Sequence, residues 1–195
     1  MIFPRPITAT FDPETHLTRM IFDGLDKRVS RDFYCMGSVA WPEGMLDGFA
    51  LSAGQDVKTG QIWIFEEYLF MTVQHWFNDD GSLNRFGLLK FLQDTWNYYR
   101  LRTFVWSESE DVHFRYARQV WDNPNIMPQP EFIRTRFAKD TGDNLIAEYL
   151  KTQKVMGDVN SQLFRDLKDK DGIERRGVHA LRCLLAGYEY MPYGK

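Results

Sequence analysis

The stretch GVHALRCLLAGYEYM, from Gly177 to Met191, combines a helical apolar pattern with two side chains that could do chemistry. His179 and Arg182 lie just off a stripe that recurs at helical spacing and predicts a buried helix face: Val178, Leu181, Leu184, Leu185 and Tyr188. An imidazole can bind a metal or move a proton near neutral pH. The alternative, which we favour, is a partly buried histidine that is hydrogen bonded to a neighbouring strand.

Two acidic clusters could also bind cations. ESEDVH (108–113) holds three acids and a histidine, but Glu110 and Asp111 would equally suit the positive end of a helix dipole. FNDDG (77–81) shares only its acids with a calcium loop, so it predicts a turn. Neither cluster by itself indicates a metal site.

The composition limits the choice of partner. The chain has 195 residues, is 44% hydrophobic, and carries a net charge of −3 with a pI near 5.8. No global basic field attracts nucleic acid, so any DNA contact needs a local patch. The candidate DNA-binding residues are Arg134, Arg136, Lys139, Arg175 and Arg176, which could instead form an ordinary solvated face.

Other features of the sequence indicate where the protein acts. Cys35 and Cys183 lie far apart in apolar runs and predict buried free thiols in a reducing compartment. No run approaches the ~18 apolar residues of a membrane span, and no signal peptide is present. We therefore expect a protein that is neither secreted nor membrane-spanning.

The order of predicted elements indicates a mixed sheet covered by helices. Strands are predicted at 33–41, 48–56, 61–70, 103–109 and within 126–137. Helices are predicted at 82–101, 111–123, 140–155, 160–169 and 172–190. The first three strands are close in sequence and form an antiparallel meander. The order βββαβαβα plus a further C-terminal helix predicts an α/β domain with a five-stranded mixed sheet and helices on both faces.

This order resembles the ribonuclease-H-like fold, and the last third narrows the resemblance. FAKDTGDNLIAEYLKTQKVMGDVNSQLFRDLKDKDGIERRGVHALRCLLAGYEY is similar to the C-terminal part of the nuclease domain of phage terminase large subunits. There a lysine follows the fifth strand, as Lys139 does here. The closing helix of that family carries an Asp-Ala-Leu-Arg-Tyr signature, which here begins at His179 and ends at Cys183. The hairpin GFALSAGQDVKTGQIWIFEEY also resembles the second and third strands of that family.

The resemblance implies an endonuclease site, but the expected acids are missing. In that family carboxylates hold two divalent metals about 3.5–4 Å apart. The matching positions here are Ser38 on the first strand, Ser107 with Glu108 at the end of the fourth, and His179 on the closing helix. A degenerate site without cofactor is therefore predicted. The alternative is a rebuilt magnesium or manganese site in which His179 acts with one of the acids Glu108, Asp56, Glu66 and Glu67.

Two functions follow as expectations. The first is a structural or DNA-packaging-associated phage protein with a degenerate nuclease-like domain at 33–195. The second is an active metal-dependent endonuclease subunit, although no GxxxxGK[ST] motif provides an ATPase motor. Residues 1–32 predict an extended, proline-containing arm with a short helix near Leu17–Leu25, which could contact other phage proteins. DNA is a further possible partner, the protein could form an oligomer, and the host cytoplasm or the phage particle is the expected location.

Overall fold

The six-stranded mixed sheet is the centre of the molecule. The computed structural model describes residues 8–12, 17–22, 25–28, 32–41, 47–70, 80, 99, 101, 103–107, 131–135, 139–158, 160–168 and 175–190. The sheet contains β4 (Phe33–Ala40), β5 (Gly48–Asp56), β6 (Ile62–Phe70), β7 (Thr103–Ser107), β8 (Glu131–Thr135) and β9 (Val155–Met156). Its spatial order is β8-β7-β4-β5-β6-β9.

The strand directions agree with the sequence prediction, but the strand count does not. β4, β5 and β6 are antiparallel neighbours, whereas β7 and β8 continue the sheet in parallel on the other side of β4. The predicted count of five is wrong, because Val155 and Met156 pair in parallel with Ile62 and Trp63 and add a sixth strand. The sequence placed Val155 at the end of a helix instead.

Three helices follow β8: α1 (Lys139–Lys151), α2 (Gln162–Lys168) and α3 (Arg176–Tyr190). They confirm the helices predicted in the last third of the chain, with shorter bounds. None of the described helices is long and apolar enough to cross a membrane. The helix predicted at 111–123 lies outside the described residues, as does 82–101 apart from Tyr99 and Leu101. Tyr99 is helical and packs on Phe65, on the sheet face opposite α3.

The N-terminal region contains a second sheet in place of the predicted short helix. β1 (Thr8–Asp12), β2 (Leu17–Phe22) and β3 (Leu25–Arg28) form an antiparallel meander in chain order. The predicted helix near Leu17–Leu25 is therefore wrong, because Leu17–Phe22 pairs with β1 on one side and with β3 on the other. A domain boundary at residue 32 stays a prediction.

Helix α3 packs against the middle of the sheet and completes the core. Its Leu181, Leu184 and Leu185 are fully buried, together with Met36 and Leu51 of the sheet. The helix approaches β7 so closely that a Cβ added at Gly187 would lie 2.6 Å from Cγ2 of Val105. This contact requires glycine and fixes the height of the helix above the sheet.

The hydroxyl of Tyr188 ties the end of α3 to two strands. It lies 3.1 Å from the carbonyl oxygens of both Tyr34 and Ala53 and donates to them. Burial raises the pKa of Tyr188 well above its ordinary value, so the hydroxyl keeps the proton that it donates.

A bulge in β6 decides which side chains face the helices. Ser52 pairs with Glu66 and Ala53 with Ile64, so Phe65 is the extra residue. Phe65 packs on Phe33 and Tyr99, on the face away from α3. Because two consecutive residues, Phe65 and Glu66, share that face, Glu67 returns to the face that carries the helices.

The end of α1 is set by a left-handed residue. Gln153 has a φ of 55°, and the N–H of Lys154 donates to the carbonyl of Tyr149 at 2.8 Å. The N–H of Gln153 donates to the carbonyl of Leu150 at 3.2 Å, which completes a Schellman motif. The carbonyl of Lys154 then accepts from the N–H of Ile62, so this motif directs the chain into β9.

Replacement of Gln153 by glycine should stabilise the protein. Glycine adopts a positive φ without the steric cost that a side chain has, so Gln153→Gly should raise the free energy of unfolding by about 0.5–1 kcal/mol. The matched control is Ala147→Gly at an exposed position inside α1, which should lower it by about 1 kcal/mol. Urea unfolding of both variants measures the two effects, and a loss of stability in Gln153→Gly would contradict the assignment of this motif.

Candidate functional site

The candidate site lies where the parallel strands end and α3 begins. Ser38 pairs with Val105, so the C-terminal ends of β4 and β7 lie at the same edge of the sheet, and β8 is parallel to both. Gly177, near the start of α3, lies against Phe49, which pairs with Ala40 at that edge. The fold therefore brings the three described positions implied by the resemblance, Ser38, Ser107 and His179, toward one edge of the sheet.

Ser38 is completely buried and is bonded to α3. Its Oγ donates to the carbonyl oxygen of Ala180 at 2.8 Å, and its exposed fraction is 0%. A hydroxyl can donate this bond, whereas an ionised carboxylate has no proton to donate and would repel the carbonyl oxygen. The surroundings of Ser38 therefore suit a neutral donor and not an aspartate that binds a metal.

His179 precedes Ala180 and lies on a flank of α3. It is partly buried, and its Nε2 lies 4.0 Å from Sγ of Cys183, one turn further along the helix. This contact lies within the helix, and the predicted hydrogen bond from His179 to a neighbouring strand stays a prediction. Cys183 is fully buried, which makes it unavailable as a nucleophile.

The fourth-strand position is described only in part. Ser107 is the last residue of β7 and pairs with Thr135 of β8. Glu108 lies outside the described residues. Ser107 therefore occupies the predicted strand end, and the contribution of Glu108 stays a prediction.

The alternative acids lie elsewhere or serve other roles. Asp56 is the last residue of β5 and pairs with Phe33, at the opposite end of β4. Its Oδ1 accepts hydrogen bonds from the N–H groups of Lys58 (2.8 Å) and Thr59 (3.1 Å), which shapes the turn between β5 and β6. Glu66 accepts a 2.7 Å hydrogen bond from the hydroxyl of Tyr99 on the far face of the sheet. Glu67 shares the face with Ser38, but its carboxylate caps α2. Within the described part of the chain, no group of three or more potential ligands could hold a metal ion.

The basic residues lie along the same edge of the sheet, as far as they are described. Arg134 is the penultimate residue of β8, Lys139 begins α1, and Arg175 immediately precedes α3. Arg176 begins α3 with an exposed fraction of only 6%, so Arg175 is the more accessible of the pair. Arg136 lies outside the described residues.

Arg182, which the sequence singled out beside His179, joins two helices. Its Nε and one terminal nitrogen both lie 2.7 Å from Oδ1 of Asp143 in α1. One and a half turns along α1, the hydroxyl of Tyr149 donates to the carboxylate of Glu189. Burial, with Glu189 nearby, raises the pKa of Tyr149. Arg182 thus holds α1 against α3, and no local pattern in the sequence indicated its partner Asp143.

Comparison with known proteins identifies the fold. No family model and no curated protein sequence matches the chain. The nuclease domain of the large terminase of bacteriophage SPP1, solved with bound Mn, superposes with a TM-score of 0.54 at 12% identity. That match covers 83% of this chain and 88% of the other. The chain thus has the fold of terminase nuclease domains, as its sequence indicated.

Two further solved structures are similar at lower scores. The large terminase nuclease of the thermophilic phage G20c, with bound zinc, has a TM-score of 0.49 at 13% identity. That match covers 97% of this chain and 94% of the phage nuclease. The large terminase of another thermophilic bacteriophage has a TM-score of 0.48 at 12% identity, and the match covers 84% of this chain but 40% of that protein.

Two buried serines provide a test of the bond between Ser38 and α3. Ser38→Ala should lower the free energy of unfolding by about 1 kcal/mol, because the hydrogen bond to Ala180 is lost. Ser52 is equally buried, but in the described part of the chain its Oγ has no hydrogen-bond partner. Ser52→Ala should therefore be neutral or stabilising. Equal losses in the two variants, measured by urea unfolding, would show that the Ser38 hydroxyl contributes nothing specific.

Proposed function

We propose that the chain is a phage protein whose nuclease-like domain is catalytically degenerate and acts as a structural module associated with DNA packaging. The observation that carries this proposal is the buried hydrogen bond from Ser38 to Ala180. It occupies the place between the first strand of the nuclease-like domain and the closing helix, where the resemblance calls for a metal-binding aspartate. The fold shared with the terminase nuclease of SPP1 supports the assignment to phage.

The electrostatics of the three described positions support degeneracy. Two divalent cations close together need several negative ligands, since hard cations prefer carboxylate oxygens. Ser38, Ser107 and His179 supply at most neutral or positively charged groups. Each missing carboxylate removes a large attraction at short range, and one glutamate, Glu108, cannot replace three.

The proposed partners are DNA and other phage proteins. Arg175 with Arg134 and Lys139 would contact phosphates without reading the sequence of bases. The N-terminal sheet, whose strands include Phe11, Met20 and Phe22, is a candidate surface for another phage protein, since a three-stranded sheet needs packing to be stable.

The competing function is an active metal-dependent endonuclease subunit. It requires that His179 and Glu108 bind Mg²⁺ or Mn²⁺ from solution. The position of His179 on α3 is what favours it, because an imidazole there could act as a ligand or a general base.

A plasmid assay distinguishes the two functions. The purified protein should leave supercoiled DNA intact in Mg²⁺ and in Mn²⁺, because too few negative ligands are present to gather the metals. The measurement is the conversion to nicked and linear forms on a gel, beside the variants His179→Ala and Glu108→Ala. Metal-dependent cleavage that disappears in either variant would show a rebuilt active site, whereas cleavage that persists unchanged in both would indicate contamination.

Removal of the N-terminal sheet tests its role as an attachment segment. A protein that starts at Asp32 should unfold at nearly the same temperature as the full chain, because the second sheet shares no strand with the six-stranded one. Thermal unfolding followed by circular dichroism is the measurement. A fall of more than about 5 °C, roughly 2 kcal/mol for a chain of this size, would mean that the N-terminal sheet stabilises the domain and is not a separate attachment segment.

A further inference from the structure

A series of hydrogen bonds leads from β6 to Asp166, whose carboxylate lies against the first turn of α3. The carboxylate of Glu67 accepts hydrogen bonds from the N–H groups of Gln162 and Leu163, at the start of α2. The side-chain amide of Gln162 then donates to Oδ1 of Asp166 at 2.6 Å. The other oxygen of Asp166 lies beside Gly177, where an added Cβ would be only 2.5 Å away.

These contacts fix the carboxylate of Asp166 at the beginning of α3. The amide oxygen of Gln162 accepts from Arg165 at 2.9 Å, which leaves the amide nitrogen directed at Asp166. A carboxylate near the first turn of a helix is stabilised by the free N–H groups and the dipole. The same turn carries Arg175 and begins with the hydrogen bond from the N–H of His179 to the carbonyl of Arg175.

We propose that Asp166 is a positioning residue for DNA contact, which rests on the DNA-binding part of the proposed function. By holding the first turn of α3, it holds Arg175 in place at the edge of the sheet. Asp166 is itself negative and repels phosphate, so direct contact with DNA does not account for its position. Asp166 therefore strengthens DNA binding indirectly, although its own negative charge weakens it.

Because loss of positioning and loss of negative charge change the affinity in opposite directions, Asp166→Asn in the full chain tests the proposal. Fluorescence anisotropy of a labelled 20-base-pair duplex over a series of NaCl concentrations gives the affinity and its salt dependence. Positioning predicts weaker binding, with the slope of log K against log salt reduced by about 0.9 for each phosphate contact that is lost. Electrostatics alone predicts tighter binding, because a negative charge is removed.

Two further variants separate position from charge. Gly177→Ala keeps the charge of Asp166 but places a methyl group only 2.5 Å from its Oδ2, so the carboxylate must move and binding should weaken in the same way. Glu148→Gln removes an exposed negative charge from α1 and should leave affinity equal or slightly higher. Thermal unfolding of each variant confirms that all are folded at the assay temperature.

The outcomes assign failure to one proposal or the other. If the wild type binds the duplex and Arg175→Ala binds it more weakly, the proposed DNA contact stands. If Asp166→Asn then binds equally well or more tightly than the wild type, only the positioning role of Asp166 is overturned. Wild-type protein that does not bind the duplex, or binding that Arg175→Ala leaves unchanged, overturns the proposed DNA contact and the positioning role with it. Weaker binding in both Asp166→Asn and Gly177→Ala, with Glu148→Gln unaffected, supports the proposal.

Discussion

The close packing of α3 against β4 and β7 is the constraint on which the rest of the structure depends. It is set at two points, where Gly187 meets Val105 and where Ser38 donates to the carbonyl of Ala180. Both contacts are short and buried, so the helix has a single height above the sheet. The position of His179 and the place of α1 beside Arg182 both follow from that height.

The same packing shows what kind of contact joins β4 to α3 in this chain. A buried aspartate between a strand and a helix needs a bound cation to stabilise its charge, because carboxylates repel one another and nearby carbonyl oxygens. A serine in that place joins the two elements by itself through one neutral hydrogen bond. In this chain the contact between strand and helix is therefore independent of metal, and the arrangement of the fold is kept by packing and short-range polar contacts.

The sequence predicted the elements better than their contacts. The strands at 33–41, 48–56 and 61–70 were recognisable because their apolar and β-branched residues form compact runs between turn residues. β9 was missed because Gln153 is not a residue that usually marks a left-handed helix end. The bond between Ser38 and Ala180 joins residues 142 positions apart, and local periodicity carries no information about such a pair. Asp166 was overlooked for the same reason, because its importance arises only from its closeness to Gly177.

The bulge at Phe65 has a consequence for how this hairpin can change over evolution. Side chains of a strand alternate between two faces, so a change of length normally exchanges the faces of every residue that follows it. At the bulge an extra residue is accommodated locally, and Glu67 keeps its place toward α2. Loss of the Phe65 codon would therefore remove one aromatic ring and leave the rest of β6 in register. The same loss elsewhere in the strand would disturb its pairing, so changes in length are tolerated at this one position and at the strand ends.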